Sequence, residues 1–355
     1  MASNEIGKRI EMARRAAGMS QRALAEAAGL SAMAISKYER GLVVPGSEAL
    51  LRLAKALDMR VEYFLRPLSV TLSAPVYRKR TALPKKQEAM ILGQVQDWLE
   101  RYLEVESLFG EPAEFRYPRG FPRQVNTMDE VEQAALDLRL AWSLGQDPFE
   151  NLVEALEDRG MRVGLVQGHD AFNALTFRTD ELGPVIALKS DLPGDRQRFN
   201  LAHELGHMLL EPVDLDSENA ANRFAAAFLV PAAAALFELG ERRSELGMYE
   251  LHLLKHKYGL SMQAWIYRAK DLGIVSEATF RQLNQRFRQN GWHRREPGDQ
   301  IPPEEPGRMK RLVLRALAEE LVSPSRAAEL LGAPLQEFIQ REAEQHGGLA
   351  LGMRG

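Results

Sequence analysis

The stretch that most limits how this chain can fold runs from Arg198 to Leu210, RFNLAHELGHMLL. Leu201, Leu205, Met208 and Leu209 recur there at i, i+4, i+7 and i+8, the apolar stripe of a helix turned toward a core. On that helix His203 and His207 stand one turn apart on a single face, and imidazoles roughly 5–6 Å apart can close on one tetrahedral ion. Glu204, beside the first histidine, is placed to meet a water on such an ion without being a ligand. The H-E-x-x-H spacing has that chemical logic: the metal lowers the pKa of its water and the glutamate takes the proton. Two histidines and a glutamate also meet at this spacing by chance, so a third ligand decides the matter.

Eleven residues beyond His207 begins Glu218-Asn219-Ala220-Ala221-Asn222-Arg223-Phe224-Ala225-Ala226-Ala227-Phe228-Leu229-Val230-Pro231, an Ala-rich helical run stopped by proline. Glu218 and Asn222 share a face of it. Glu218 would complete a His-His-Glu site with an open fourth position, and Asn222, one turn later, would orient a ligand imidazole. Asp214 and Asp216 compete for the third place. The chain has no cysteine, so disulfides are excluded and any zinc site must be built from His and carboxylates.

From Phe199 to Pro231 the chain resembles the ImmA/IrrE family of zincin-like metallopeptidases, which pair a LAHELGH helix with a following E-x-x-A-N-x-F-A-A-x-x-L-x-P helix. The resemblance implies zinc held by His203, His207 and Glu218, with Glu204 as catalytic base. No motif position departs from the pattern.

Residues 4 to 66 read as a bundle of short helices. Ile6, Ile10 and Ala13 open an amphipathic helix ending near Gly18. Ser20 caps Gln21 to Ala28, which Gly29 ends, and Ser31 caps Ala32 to Arg40, which Gly41 ends. Helices at about Ser47 to Leu57 and Val61 to Leu65 complete it. Two short helices about a tight Gly turn are the helix-turn-helix signature. The stretch SQRALAEAAGLSAMAISKYERGLVVP resembles the XRE class of λ-repressor-like DNA-binding domains. The third helix would then enter the major groove, with Ala32, Met33 and Ser36 toward base edges, Ile35 in the core, and Gln21, Lys37 and Arg40 toward phosphates. Small residues and a Met offer little hydrogen-bond readout, so affinity for double-stranded DNA is expected to be largely electrostatic. A helical bundle used for protein contacts is the alternative. Such domains commonly bind as homodimers on paired half-sites.

Charge agrees with that division. The chain carries a net −3, yet residues 1 to 66 hold eleven Lys and Arg against seven Asp and Glu, a surplus of four, which leaves −7 for the rest. At 355 residues, 45% hydrophobic and 27% charged, the chain is long enough for several cores and has the balance of a globular protein. No apolar run approaches the roughly 20 residues a bilayer helix needs, and no signal-peptide pattern opens the chain, so a cytoplasmic protein without a membrane partner is expected.

Pro67 to Lys86, interrupted by prolines and crowded with Arg78, Lys79, Arg80, Lys85 and Lys86, reads as a linker. A long helix follows from Lys86 to Leu108, then a Pro-rich bend and a helix from about Thr127 to Leu144. Another helix opens at Pro148 and ends by Gly160. The period then changes: Arg162 to Val166, Ala174 to Arg178 and Pro184 to Leu188 are β-type runs, a small antiparallel sheet in front of the metal helix. The strand around Asn173 to Phe177 either receives an extended peptide at its edge or is an ordinary core hairpin. Helices at Glu250 to Tyr258, Met262 to Leu272 and Ser276 to Asn290 close the domain. His252 and His256, one turn apart, invite a second metal site, and His256 or Tyr258 is a candidate transition-state hydrogen-bond donor. Arg281, Arg286, Arg288, Arg294 and Arg295 with Phe287 and Trp292 form a basic-aromatic cluster, suited to single-stranded nucleic acid or to an interdomain interface. Met309 to Gln345 is a helical tail, its last ten residues expected to be disordered.

The expected architecture is multidomain: an all-α λ-repressor-like helix-turn-helix domain at 1–66, a linker at 67–86, a mainly α (α+β) zincin-like domain with a small antiparallel sheet at 87–295, and a helical tail at 296–355. The order of parts resembles the fused XRE and ImmA/IrrE regulators, whose protein substrates tend to be helix-turn-helix repressors cleaved under stress or another signal. Three functions compete. One is a DNA-binding zinc endopeptidase that cleaves such a repressor or itself. Another is a transcriptional regulator whose zincin domain only senses a ligand or dimerises, and for which Glu204 beside the ligands has no chemical need. The third is an antitoxin or phage-type repressor whose helix-turn-helix does all the work.

Overall fold

The computed structural model of the protein describes residues 2–66, 84–110, 114–168, 172–179 and 183–352. Most of the expected linker, residues 67–83, lies outside the described residues. The chain divides into two compact units, one of residues 1–112, 166–172 and 307–355 and the other of residues 113–165 and 173–306.

The first unit opens with α1 (Ala2–Ala16), α2 (Gln21–Ala28), α3 (Ala32–Glu39), α4 (Ser47–Ala56) and α5 (Val61–Leu65). The boundaries follow the caps: Ser20 and Ser31 each accept a backbone N–H three residues on at 3.1 Å, and Gly29 turns α2 off in the left-handed region at φ 63°. Ile10, Leu24, Ile35, Leu53 and Phe64 form the buried centre of this bundle. Helix α1 crosses α3 at Gly7, where any Cβ would stand 2.2 Å from the Tyr38 carbonyl oxygen.

Helix α6 (Lys85–Ser107), expected by its place in the sequence to belong largely to the zincin domain, packs on α1. Gly93 permits this, since a Cβ there would lie 2.8 Å from the Ala16 nitrogen, and buried Arg9 pairs with buried Glu100 across the contact. The periodicity of α6 marked an apolar stripe but not its partner.

In the second unit the elements run β1 (Arg123–Val125), α7 (Met128–Ala141), α8 (Leu152–Glu157), β2 (Arg162–Val166), β3 (Ala174–Thr179), β4 (Gly183–Lys189), α9 (Gly194–Leu209), β5 (Leu210–Pro212), α10 (Ser217–Leu229), α11 (Ala232–Leu239), α12 (Met248–Tyr258), α13 (Met262–Asp271) and α14 (Glu277–Gln289). The sheet has the order β2-β4-β3, so β4 is central and β3 an edge; β3 and β4 are antiparallel with Thr176 opposite Ile186. Strands β1 and β5 form a separate parallel pair. Helix α8 begins later than Pro148 because Asn151 is its cap, accepting from the Glu154 nitrogen at 3.0 Å. Pro231 ends α10 but also opens α11, bent 65° from it, a helix the sequence reading did not anticipate. The described residues contain no single helix long and apolar enough to cross a membrane.

Residues 291–306 are stapled to this unit by carboxylates at helix N-termini. Glu296 accepts from the backbone of Met262 and Gln263 at 3.0 and 2.9 Å, and Glu304 accepts from Leu152 and Val153, both at 2.9 Å. The first unit resumes with α15 (Arg308–Ala318), α16 (Pro324–Leu330) and α17 (Leu335–Gly352). Their apolar faces close over Tyr102 and Val105 of α6. Helices α16 and α17 meet about Gly332-Ala333-Pro334, and α17 stays helical to Gly352, where disorder was expected.

Candidate metal centre

Helix α9 buries Leu201, Leu205, Met208 and Leu209, the stripe read from the sequence, and thereby turns His203 and His207 toward α10. At Gly206 the two helices nearly touch: a Cβ there would be 3.2 Å from the Ala221 Cα and from the Phe224 ring. That approach brings Glu218, on the first turn of α10, between the imidazoles. The His203 and His207 Nε2 atoms are 3.0 Å apart, and they lie 3.5 and 3.2 Å from the two Glu218 carboxylate oxygens. All three side chains are partly buried.

These separations suit a small cation. Ligand atoms about 2.0–2.2 Å from a tetrahedral zinc ion stand about 3.3–3.6 Å from one another, close to what the three side chains already offer. Asn222 Oδ1, which only accepts, lies 2.9 Å from His203 Nδ1, so that nitrogen carries the ring proton and Nε2 presents its lone pair to the site. Asp216 does not compete for the third place: its side chain caps α10, accepting from the Asn219 nitrogen at 2.8 Å. Among the described residues the His203, His207 and Glu218 set includes no atom of Asp214 either.

Glu204 points from the same face of α9 to β3, where the Thr176 hydroxyl donates to its Oε2. Burial pushes the Glu204 carboxyl above the usual range, the Thr176 hydrogen bond pulls it back, and the charge of Glu218 adds to the rise. Thr176 was not singled out from the sequence, because one hydroxyl in a β-type run carries no pattern. The Tyr258 hydroxyl donates to Glu238 at 2.9 Å. His252 and His256 meet edge to face, with ring centroids 4.6 Å apart, and among the described residues no carboxylate joins them in a three-ligand set.

Two family models match the chain. The peptidase M78 model, described as the IrrE N-terminal-like domain, covers residues 167–270 and so spans α9, α10 and the converging side chains. A helix-turn-helix model covers residues 10–64. The two matches lie in the order helix-turn-helix, then IrrE-like, along the chain. No curated protein matches it. Among solved structures, the apo form of ComR from S. thermophilus aligns at 12% identity over 98% of this chain and 99% of that one, with a TM-score of 0.18, too low to bear on the fold.

The helix-turn-helix domain presents Met33 at 67% exposure from the first turn of α3, with Ser36 half-buried, Lys37 and Arg40 exposed, and Ala32 leaning on the core. Gln21 gives its amide N–H to the buried Glu39 at 2.7 Å, a carboxylate that also takes Arg14. One of its two amide N–H groups is thus used inside the domain. The basic-aromatic cluster of the IrrE-like unit is not a stacking platform: Phe287 is fully buried, and Trp292 packs edge-on against it with ring centroids 5.5 Å apart. Single-stranded nucleic acid therefore loses its basis there.

Proposed function

We propose that the protein is a zinc-dependent endopeptidase that binds double-stranded DNA and controls transcription by cleaving a protein, a helix-turn-helix repressor or itself, in answer to stress or another signal. The observation that carries the proposal is the convergence of His203, His207 and Glu218 from two helices into a tetrahedral edge pattern with Glu204 alongside. His203, His207 and Glu218 would hold the zinc, and Asn222 would fix the His203 tautomer. Bound there, zinc lowers the pKa of a water and polarises the scissile carbonyl. Glu204 accepts the proton of the attacking water and delivers it to the amine nitrogen as the C–N bond breaks. A module that only senses a ligand has no use for a base in that position. The helix-turn-helix domain supports double-stranded DNA as the second partner, met through Met33, Ser36, Lys37 and Arg40 of α3, and a DNA-bound regulator belongs in the cytoplasm.

The test is to purify the full chain under mild conditions, measure its zinc, and incubate it with candidate helix-turn-helix repressors and alone, with and without DNA, beside Glu204→Gln. Near one zinc per chain and cleavage lost in Glu204→Gln are expected. Zinc-free protein, or cleavage indifferent to Glu204, overturns the proposal.

A further inference from the structure

We propose that Thr176 is a positioning residue: its hydroxyl holds one oxygen of the Glu204 carboxylate so that the other faces the reacting water. The proposal rests on the peptidase reading above and adds to it a residue outside the H-E-x-x-H helix.

The terminal torsion of a glutamate side chain is broad and nearly two-fold, so a carboxylate fixed only by its backbone samples many orientations. The neighbours His203 and Leu205 fix where Glu204 leaves α9 but not where its carboxylate turns. Among the described residues, Thr176 is the hydrogen-bond partner of that carboxylate. It is well chosen for the task. Thr176 is 6% exposed, and its backbone is locked in the β3–β4 ladder opposite Ile186. A β-branched side chain has few rotamers, so the hydroxyl is held by the sheet rather than by a mobile loop. Its single proton is given to Oε2, which leaves Oε1 to take the proton from water.

The proton balance is closed without Thr176 reacting. One O–H bond of the water breaks as Oε1–H forms, and that proton passes to the departing nitrogen; the Thr176 proton stays on Oγ1 throughout. The edge position of β3 adds a consequence. A peptide that pairs with the outer edge of β3 is aligned by the same strand that orients the base, so substrate backbone and proton acceptor share one rigid reference.

The experiment compares wild type, Thr176→Val, which keeps the shape and removes the donor, and Thr176→Ser, which keeps the donor. Fluorescently labelled casein serves as an unfolded protein probe, zinc content and thermal unfolding are measured for each, and crystal structures of the zinc-loaded proteins are solved. Thr176→Val is expected to keep its zinc and its KM, to lose kcat about tenfold to a hundredfold, a fraction of what a general base contributes, and to show the Glu204 carboxylate turned away. Thr176→Ser is expected to restore most of kcat. An unchanged kcat in Thr176→Val, a loss confined to KM, or a Glu204 carboxylate that stays in place overturns the assignment. If zinc-loaded wild type does not cleave casein at all, the peptidase reading is what suffers. The crystallographic comparison then decides the positioning role alone, a turned carboxylate supporting it and an unmoved one ending it.

Discussion

At the scale of single residues the candidate site separates side chains that hold an ion from those that act beside it, and substitutions should separate them too. Glu204→Gln keeps the fold and the zinc but removes the proton acceptor, so turnover is expected to fall by about 10²–10⁴-fold with zinc content unchanged. Removing a ligand does the opposite: His207→Ala should leave apo protein under the same purification. Asn222→Leu removes the acceptor that fixes the His203 tautomer, and outer partners of this kind are worth about 10–100-fold in metal affinity, measurable by competition with a chelator. The pH dependence has two parts with the same sign. Glu204 must be ionised to accept a proton; burial raises its pKa, and the charge of a bound zinc opposes that rise. Activity should therefore fall on acidification as the carboxyl takes up a proton. The ligand imidazoles must be neutral, so zinc occupancy also falls as acid protonates them. Measuring kcat/KM and bound zinc over the same pH series distinguishes the two, since loss of the base leaves zinc in place.

At the scale of elements, the site exists because α9 and α10 approach closely, and Gly206 against Ala221 sets how closely. Gly206→Ala places a Cβ 3.2 Å from the Ala221 Cα, so the helices must part by a few tenths of an ångström. Overpacking of this kind costs about 1–3 kcal/mol. The variant should melt lower and bind zinc more weakly although no ligand has changed, which thermal unfolding with and without zinc will read. Elements of this sort were legible where local chemistry defines them. Ser20, Ser31 and Gly29 announced their helix ends, and the stripe of α9 with the acid and amide of α10 announced the side chains that converge there. What was not legible depends on partners distant in the chain. The β1–β5 pair is three residues against three, far apart in sequence, with no periodicity to mark it. Pro231 reads as a stop, and only the packing of α11 shows that it is also a start. Phe287 looked like a base-stacking residue because its neighbours are arginines, while its ring lies in the core.

At the scale of the whole molecule, the order of domains along the chain differs from the order of cores. Tyr102 and Val105 of α6 share a core with Met309, Val313, Ala316, Ala327, Ala328 and Leu330, contributed from more than two hundred residues later. On its other flank α6 holds α1 through Arg9 and Glu100. The helix-turn-helix unit therefore depends for part of its support on helices at the opposite end of the sequence, whereas residues 113–165 and 173–306 close a core of their own around α9 and α10. Truncation after Pro306 puts this to the test. It bares the apolar face of α6, and each large side chain returned to water forfeits about 1.5–3 kcal/mol, so several together exceed the stability of a small helical bundle. The truncated chain is expected to lose DNA binding and the protease resistance of residues 2–66 while retaining zinc at His203, His207 and Glu218. Arg9→Ala should weaken the same unit more gently, because Glu100 would remain buried without its cation, a loss of about 3–5 kcal/mol confined to that unit. A truncated protein that bound DNA as tightly as the full chain would show that α1–α5 stand without α6 and its partners, and would return the helix-turn-helix domain to the independence its sequence suggests.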